Sequence, residues 1–299
     1  MVAVDADWVG YDVYIDDSGL IWDATLNQTN AGANNNKFYR IQLLEDPNSS
    51  TFKTWTRWGR VGEYGQNTVL GNGSLKQAQA EFQKKFKDKS GLAWDNRLAP
   101  SKANKYAFIE RNYEGSDDEE EDDKPNKKKD DEAKEEEKPV ESTLPVPIQH
   151  LMTFIFNQQY ILSTMAAMSY DAHKMPLGKL SKRTLEEGFR ALKDISELLS
   201  DSTTAQTKYG TNFNAATELV SNRYFTLIPH VFGRNKPPVL ATETLLKKEV
   251  DLLETLTDMG VTNEIMKGPK DKEMVHELDR QFRSLGLQEL TRGIPDLLL

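Results

Sequence analysis

Few side chains in this chain of 299 residues have the type and spacing that enzyme chemistry requires. Cysteine is absent, which excludes disulfides, thiolate nucleophiles and cysteine-ligated zinc sites. The adjacent carboxylates Glu186-Glu187 fall in a helical pattern and are predicted to be an exposed pair without a role in general acid–base catalysis. No histidine lies in a recognisable catalytic motif; the four are His150, His173, His230 and His276. The sequence therefore predicts no catalytic residue and no metal ligand.

Charge lies in blocks along the chain, and the blocks decide what the chain can bind. The net charge is −9, but residues 37–113 carry 14 Lys or Arg against seven Asp or Glu. Residues 1–36 carry six acids and no base, and residues 114–141 carry 15 acids and six lysines. Beyond about one Debye length, about 10 Å at 0.1 M salt, the acidic blocks are largely screened. The basic block can therefore hold phosphates although the whole chain is acidic.

The acidic block also divides the chain into two domains, which suits its length. From Asp117 to Lys138 it contains no aromatic residue and one apolar residue, Ala133, so it cannot bury enough surface to offset its ordering entropy. We predict a flexible linker over residues 115–142. Two alternatives stay open: its carboxylates could be acceptors of a covalently transferred group, or Lys127-Lys128-Lys129 could belong to a nuclear import signal.

The first half is predicted to be a small antiparallel sheet with one main helix. Alternating apolar residues indicate strands near Val13, over residues 38–44 and over residues 52–58. The Asn-rich stretch of residues 27–36 is predicted to lie outside a strand interior because it is so polar. Three closely spaced glycines are predicted to end the third strand: Gly59, Gly62 and Gly65.

The main helix has clear start and stop signals. Ser74 is a candidate N-cap with Gln77 three residues later, and Gly91 is placed to end the helix. One face is apolar, through Leu75, Ala78, Phe82 and Phe86, and most lysines lie outside it.

The second half is predicted to be an all-α bundle, giving an α+β protein of two domains. Apolar residues recur at helical spacing after Ser181, over residues 213–227 and over residues 245–259. The apolar-rich stretch of residues 148–168 is also predicted to be helical core, with Leu151, Phe154 and Ile155 among its apolar positions. No apolar run approaches the roughly 18 residues of a membrane span, and no membrane partner is expected.

An ordered series of motifs between Tyr11 and Tyr113 resembles the WGR domain of DNA-dependent poly(ADP-ribose) polymerases. The series comprises Leu26-Asn27-Gln28-Thr29-Asn30, Asn34-Asn35-Asn36-Lys37-Phe38-Tyr39, Arg57-Trp58-Gly59-Arg60-Val61-Gly62, Gln83-Lys84-Lys85-Phe86, Trp94 and Lys105-Tyr106. The WGR domain is named after this Trp-Gly-Arg triplet. The resemblance implies that residues 11–114 form a DNA-binding domain, preceded by a tail of residues 1–10.

The resemblance also implies roles for single residues at a DNA end. Trp58 would lie against an exposed sugar or base, and Arg60 would make a charged contact near the end and also contact the regulatory domain. Asn36 and Tyr106, with its neighbour Lys105, match positions that approach the terminal nucleotide and its 5′ phosphate. Such contacts position the protein without reading base identity, and Gly59 would let the backbone come close.

Each of these residues also has a purely structural explanation. Trp58 could be a core aromatic residue, as Trp55 on the same strand suggests, and Arg60 could be a surface arginine in a turn. Tyr106 could begin a terminal strand.

Residues 143–268 resemble the helical regulatory domain of the same polymerases. The matching motifs are Leu144-Pro145-Val146-Pro147-Ile148-Gln149, Pro176-Leu177-Gly178-Lys179-Leu180-Ser181 and Tyr224-Phe225-Thr226-Leu227-Ile228-Pro229-His230. In that family the bundle inhibits the enzyme by covering the catalytic domain, and DNA-break binding loosens it. The resemblance therefore implies a nuclear protein of the DNA damage response. Its expected partners are DNA ends and nicks with a 5′ phosphate, together with the catalytic domain of a full-length polymerase.

Residues 269–299 match the family only in part. Leu278 to Leu285 resembles the entry to the catalytic domain, but the tail from Arg292 to Leu299 does not. No cofactor is expected in this chain, NAD⁺ being the substrate of the full-length family, and the chain alone is expected to be inactive. Three functions stay open: a break-binding chain without chemistry, part of an active ADP-ribosyltransferase, or an interaction module with neither property.

Overall fold

The computed structural model describes residues 4, 6–8, 10–111, 113, 142–156, 180–266 and 276–286. The predicted linker lies almost entirely outside these residues, as do His173, the stretch from residue 157 to 179 and the tail after residue 286. Within the described residues the chain has the expected α+β organisation, with an antiparallel sheet first and helices after it. None of the described helices is long and apolar enough to cross a membrane.

A six-stranded antiparallel sheet forms the first domain. Its strands are β1 (Asp12–Val13), β2 (Asp23–Asn30), β3 (Asn35–Asp46), β4 (Thr51–Arg60), β5 (Gln66–Gly73) and β6 (Ala107–Ile109). They lie in the order β5-β4-β3-β2-β6, and β1 pairs with the C-terminal end of β3. The three predicted strands are confirmed, each longer or shorter by a few residues.

The prediction that the Asn-rich stretch avoids strand interiors is wrong. Residues 27–30 belong to β2 and residues 35–36 begin β3, so only a short turn separates the two strands. Asn27, Thr29 and Asn36 are buried, and each hydrogen bonds to the second domain or to another member of this group. A strand tolerates buried amides when partners outside the strand satisfy them.

The third strand also continues past the predicted break. Gly59 and Arg60 are its last two residues, and β5 begins at Gln66 after a turn in which Gly62 and Gly65 have positive φ angles of 90° and 82°. These glycines therefore shape a hairpin turn between two strands.

Helix α1 (Leu75–Ser90) covers one face of the sheet. The Ser74 hydroxyl accepts a hydrogen bond from the Gln77 amide, and Gly91 ends the helix with a φ of 74°, as the sequence predicted. Its buried face consists of Ala78, Phe82, Phe86 and Ser90. The aromatic members pack on Trp22 and Trp94, and Leu26, Ile41 and Leu43 complete this core.

The helical domain contains α2 (Val146–Ile155), α3 (Lys182–Ser200), α4 (Thr204–Tyr209), α5 (Phe213–Leu227), α6 (Glu243–Met266) and α7 (Glu277–Ser284). Ser181 and Asn212 cap α3 and α5 with side-chain oxygens. Helices α3, α5 and α6 share one core, which also includes Ile109 of β6. The core therefore continues from the bundle onto the sheet face opposite α1.

Helix α2 departs from the sequence prediction. Leu151, Phe154 and Ile155 are exposed to solvent, by 51%, 68% and 44%, whereas Met152 is buried. Helix α2 lies beside α7, and the Asp279 carboxylate there accepts hydrogen bonds from Ser142 and Thr143. The helix is confirmed over the described residues 148–155, but the three predicted core residues there face outward.

Candidate nucleic-acid interface and domain contact

Trp58 belongs to a group of aromatic rings at one end of the sheet. Its neighbour across the strand pair is Tyr39, whose ring lies 5.8 Å away and is tilted by only 17°. Tyr106 contacts the other side of Tyr39 edge-on, with ring centroids 6.3 Å apart. Trp58 and Tyr106 are half-buried, whereas Tyr39 is buried beneath them. Trp58 therefore packs against the core, as its structural explanation required, and its contact with a sugar or base stays a prediction.

Cations surround these rings. The Lys89 ammonium lies 4.6 Å from the centre of the Tyr39 ring, and Lys105 donates to the Asp88 carbonyl at 3.3 Å. Both contacts lie at the C-terminal end of α1, where the helix dipole favours positive charge. Lys37 is exposed on β3, in register with Arg60 on β4. A surface with half-exposed aromatic rings and several cations suits a nucleic acid whose stacking is interrupted.

Burial raises the pKa of Tyr106, and it raises the pKa of Tyr39 as well. Both hydroxyls therefore stay protonated at neutral pH, and that of the half-buried Tyr106 can donate a hydrogen bond to an anion. Tyr106 lies just before β6, whose first residue is Ala107, so its position at the start of a terminal strand is confirmed.

Gly59 lies where two parts of the chain pass close to each other. A side chain at this position would place its Cβ 2.9 Å from the Gly65 Cα and 3.2 Å from the Phe38 ring. The glycine is therefore explained by packing of the hairpin. Access for a phosphate at Gly59 stays a prediction.

Arg60 joins the two domains. Its Nε donates to the Gly233 carbonyl and its Nη2 donates to the Asn235 carbonyl at 2.7 Å, both in the loop between α5 and α6. The same guanidinium also donates to the backbone and side-chain oxygens of Asn34, at 2.9 and 3.1 Å. The contact with the helical domain that the resemblance implied is present, and every Arg60 nitrogen has an acceptor.

Asn36 lies at this domain contact too. Its side-chain amide donates to the His230 carbonyl at 2.7 Å, and its oxygen accepts from Thr29 at 3.0 Å. The residue is fully buried. A nucleotide could reach Asn36 only if the helical domain moved away from the sheet.

Strand β2 closes the C-terminal end of helix α5. Asn27 donates to the carbonyls of Phe225 and Thr226, both at 3.0 Å, and Thr29 donates to the Phe225 carbonyl at 3.1 Å. The last carbonyls of a helix have no partner within the helix. The sheet domain therefore supplies the cap that α5 lacks.

His230 anchors the loop that Asn36 and Arg60 contact. Its Nε2 lies 2.9 Å from a Glu249 carboxylate oxygen that also accepts from the Tyr224 hydroxyl at 3.0 Å. Its Nδ1 lies 2.7 Å from the Ile228 carbonyl. The ring is buried and stacks on Phe232 with a 9° tilt. His230 thus has a structural role, whereas His150 on α2 is exposed.

A second contact joins the domains at β6. The Glu110 backbone and carboxylate accept from the Ser181 amide and hydroxyl, at 3.0 and 2.8 Å. Arg183 donates to the Leu98 carbonyl. The start of α3 is therefore tied to the end of the sheet.

The structure divides the six predicted site residues into two groups. Trp58, Lys105 and Tyr106 lie at the aromatic surface, whereas Asn36 and Arg60 lie at the domain contact and Gly59 lies in the hairpin between the two. Sequence reasoning did not select Lys89 or Tyr39 as site residues. Lys89 could have been found because it lies in the last turn of the predicted helix, two residues before its glycine stop.

Comparison with known proteins assigns both halves. Residues 22–101 match the WGR domain, and residues 142–282 match the regulatory domain of poly(ADP-ribose) polymerase. The human protein mono-ADP-ribosyltransferase PARP3 is 36% identical over 282 residues, covering 92% of this chain and 51% of the relative. Human poly [ADP-ribose] polymerase 2 is 36% identical over 267 residues, covering 89% of this chain and 43% of the relative.

The matches and the contacts between the two domains together define a WGR domain docked on a polymerase regulatory domain. The chain belongs to the poly(ADP-ribose) polymerase family. It spans about half the length of the curated relatives that it matches.

Proposed function

We propose that this chain binds DNA breaks in the nucleus and transmits that binding to its helical domain, as the sensing and inhibitory part of an ADP-ribosylating enzyme. The supporting observation is that Arg60 and Asn36, two residues predicted to contact a DNA end, hydrogen bond to the helical domain. One group of side chains thereby links the DNA-binding surface to the regulatory bundle.

The aromatic surface supports the DNA-binding half of the proposal. Trp58 and Tyr106 offer rings that a base or sugar can contact only where DNA stacking is interrupted. Lys89, Lys105 and Lys37 supply cations for nearby phosphates, a contact that carries no base information. Recognition of a break without sequence preference follows, and a 5′ phosphate beside Tyr106 would accept its hydroxyl.

The domain contact supports the regulatory half. Arg60 and Asn36 cannot keep all their hydrogen bonds to the bundle and also contact a DNA end. DNA therefore favours the arrangement in which the loop of residues 228–235 is released, a population shift toward an opened bundle. In a full-length enzyme this opening would admit NAD⁺ to the catalytic domain.

DNA-break binding is tested by fluorescence anisotropy with two labelled duplexes. One duplex carries a single 5′-phosphorylated nick, and the other is a closed dumbbell without ends. We expect at least tenfold tighter binding to the nick. Trp58→Leu should remove about tenfold of that affinity, because stacking on one base contributes about 1–3 kcal/mol, and should leave dumbbell binding unchanged.

Phe52→Leu is the matched control, because Phe52 packs on the same core from the other end of β4. It should leave nick binding unchanged. Equal affinity of the unmodified chain for nick and dumbbell would refute break recognition, and no binding to either would leave the chain as an interaction module.

Amide hydrogen exchange tests the regulatory half of the proposal. Nicked DNA should speed exchange in residues 225–235, and unchanged exchange at saturating DNA would contradict the proposed opening of the bundle.

A further inference from the structure

One carboxylate near the N-terminus is held by three donors from the sheet. Asp7 accepts from Arg57 Nη2 at 2.5 Å, from the Tyr64 hydroxyl at 2.6 Å and from the Asn67 amide at 2.9 Å. Arg57 and Asn67 are cross-strand partners on β4 and β5, and Tyr64 lies in the turn that joins them. All three donors therefore belong to one hairpin, which begins its turn just after Trp58-Gly59-Arg60.

The hairpin holds these donors in place without help from Asp7. The Arg57 guanidinium lies between two rings, 4.0 Å from the centre of Tyr64 and 5.2 Å from the centre of Trp55. Its side chain is only 8% exposed, so it cannot easily turn elsewhere. An arginine of this kind, with a hydroxyl and an amide beside it, is a preformed site for an anion with several oxygens.

Asp7 has the features of a replaceable occupant. It lies in a short 3₁₀ turn, Ala6–Trp8, and its side chain is 36% exposed. It comes from the block of residues 1–36, which has six acids and no base. A segment with that charge repels phosphates, whereas the hairpin donors attract them once the carboxylate has left.

We propose that Arg57, Tyr64 and Asn67 form a binding site for a backbone phosphate of DNA, and that Asp7 occupies this site in the absence of DNA. The inference rests on the proposed DNA binding and adds a second phosphate contact, on the turn that follows the Trp-Gly-Arg triplet. Displacement of Asp7 exchanges one anion for another on the same donors.

The first test compares Asp7→Asn with Asp17→Asn in nicked-DNA binding. Both remove one negative charge from the same acidic block, but Asp17 is exposed in a turn, whereas Asp7 is held by the three hairpin donors. We expect Asp7→Asn to tighten binding at least about fivefold, because DNA then has no carboxylate to displace, and Asp17→Asn to change the affinity less. Equal effects of the two variants would overturn the site.

Tyr64→Phe distinguishes the site from general charge effects. It removes the hydroxyl donor and keeps the ring that covers Arg57. In the Asp7→Asn chain this change should weaken DNA binding, because a phosphate donor is lost. In the unmodified chain it should not weaken binding, because it loosens Asp7. The same effect in both chains would contradict the proposal.

Inorganic phosphate tests the site without DNA. In the Asp7→Asn chain, phosphate titration should shift the NMR signals of the Asn67 side-chain amide in a saturable manner, and Tyr64→Phe should weaken this binding. The unmodified chain should show no such shift. If phosphate binds but nicked DNA does not, the proposed function fails and the site takes free phosphate. If nicked DNA binds, but Asp7→Asn neither tightens that binding nor produces the phosphate shift, the phosphate site is refuted and the proposed DNA-break binding stands.

Discussion

Two residues at the domain contact are predicted to bind DNA and also bind the helical domain. Arg60 and Asn36 lie beside the surface predicted to meet DNA, yet their polar atoms are bonded to the loop after α5. Gly62 lies in the same region, because a Cβ there would lie 2.6 Å from Cγ1 of Val231 in that loop. Close approach, and not only a turn, explains this glycine.

Gly62→Ala should therefore open the domain contact. The methyl group would collide with Val231, and the positive φ of 90° would cost a further 1–2 kcal/mol, roughly, for any residue with a Cβ. Gly19→Ala is the control: its φ is 81°, but no atom lies within 4 Å of the added Cβ. We expect both variants to lose similar stability in the sheet domain. Only Gly62→Ala should speed amide exchange of residues 228–235, and equal exchange in both would contradict the steric explanation.

At the scale of elements, the helices were the easier part to predict. Apolar periodicity located α1, α3 and α5, and the start signals Ser74 and Ser181 also marked where the first two begin. Strand β2 was missed because its polar side chains are satisfied by the end of α5, about 200 residues away in sequence. Strand β5 was missed because its pattern, rich in Gly and Asn, has little apolar alternation.

The two helix caps differ in a measurable way. Asn212→Ala should cost about 1 kcal/mol of unfolding free energy, because it removes only the cap of α5. Ser181→Ala should cost more, by about another 1 kcal/mol, because the same hydroxyl also donates to Glu110 of the sheet domain. Urea unfolding measures both changes. Equal losses would show that the Glu110 hydrogen bond adds nothing to stability.

On the scale of the whole molecule, the two domains share a core and two sets of hydrogen bonds. Ile109 of β6 belongs to the same apolar cluster as Leu192 and Phe225 of the bundle. The domain contact therefore does not depend on the covalent connection alone. Exposed apolar residues on α2 show that this contact leaves part of the bundle uncovered.

Cutting the chain tests this conclusion. A protease site inserted between residues 115 and 142 should yield two fragments that elute together on gel filtration at tens of micromolar. Asn27→Ala should weaken their association about tenfold, because two buried carbonyls of α5 lose a donor. Gln83→Ala, exposed on α1, should have no effect. Fragments that separate at once, before any substitution, would show that the contact is too weak to hold the domains.

The sequence by itself determined the two domains, their family, the main helix and the Trp58 region, because these depend on local periodicity, caps and an ordered series of motifs. Tertiary structure decided which polar residues are buried and what they bind. Asn27 and Asn36 look like surface residues in sequence, since nothing local shows that backbone carbonyls of a distant helix and loop face them. Hydrogen-bond partners between domains depend on packing, and packing is not encoded in any short segment.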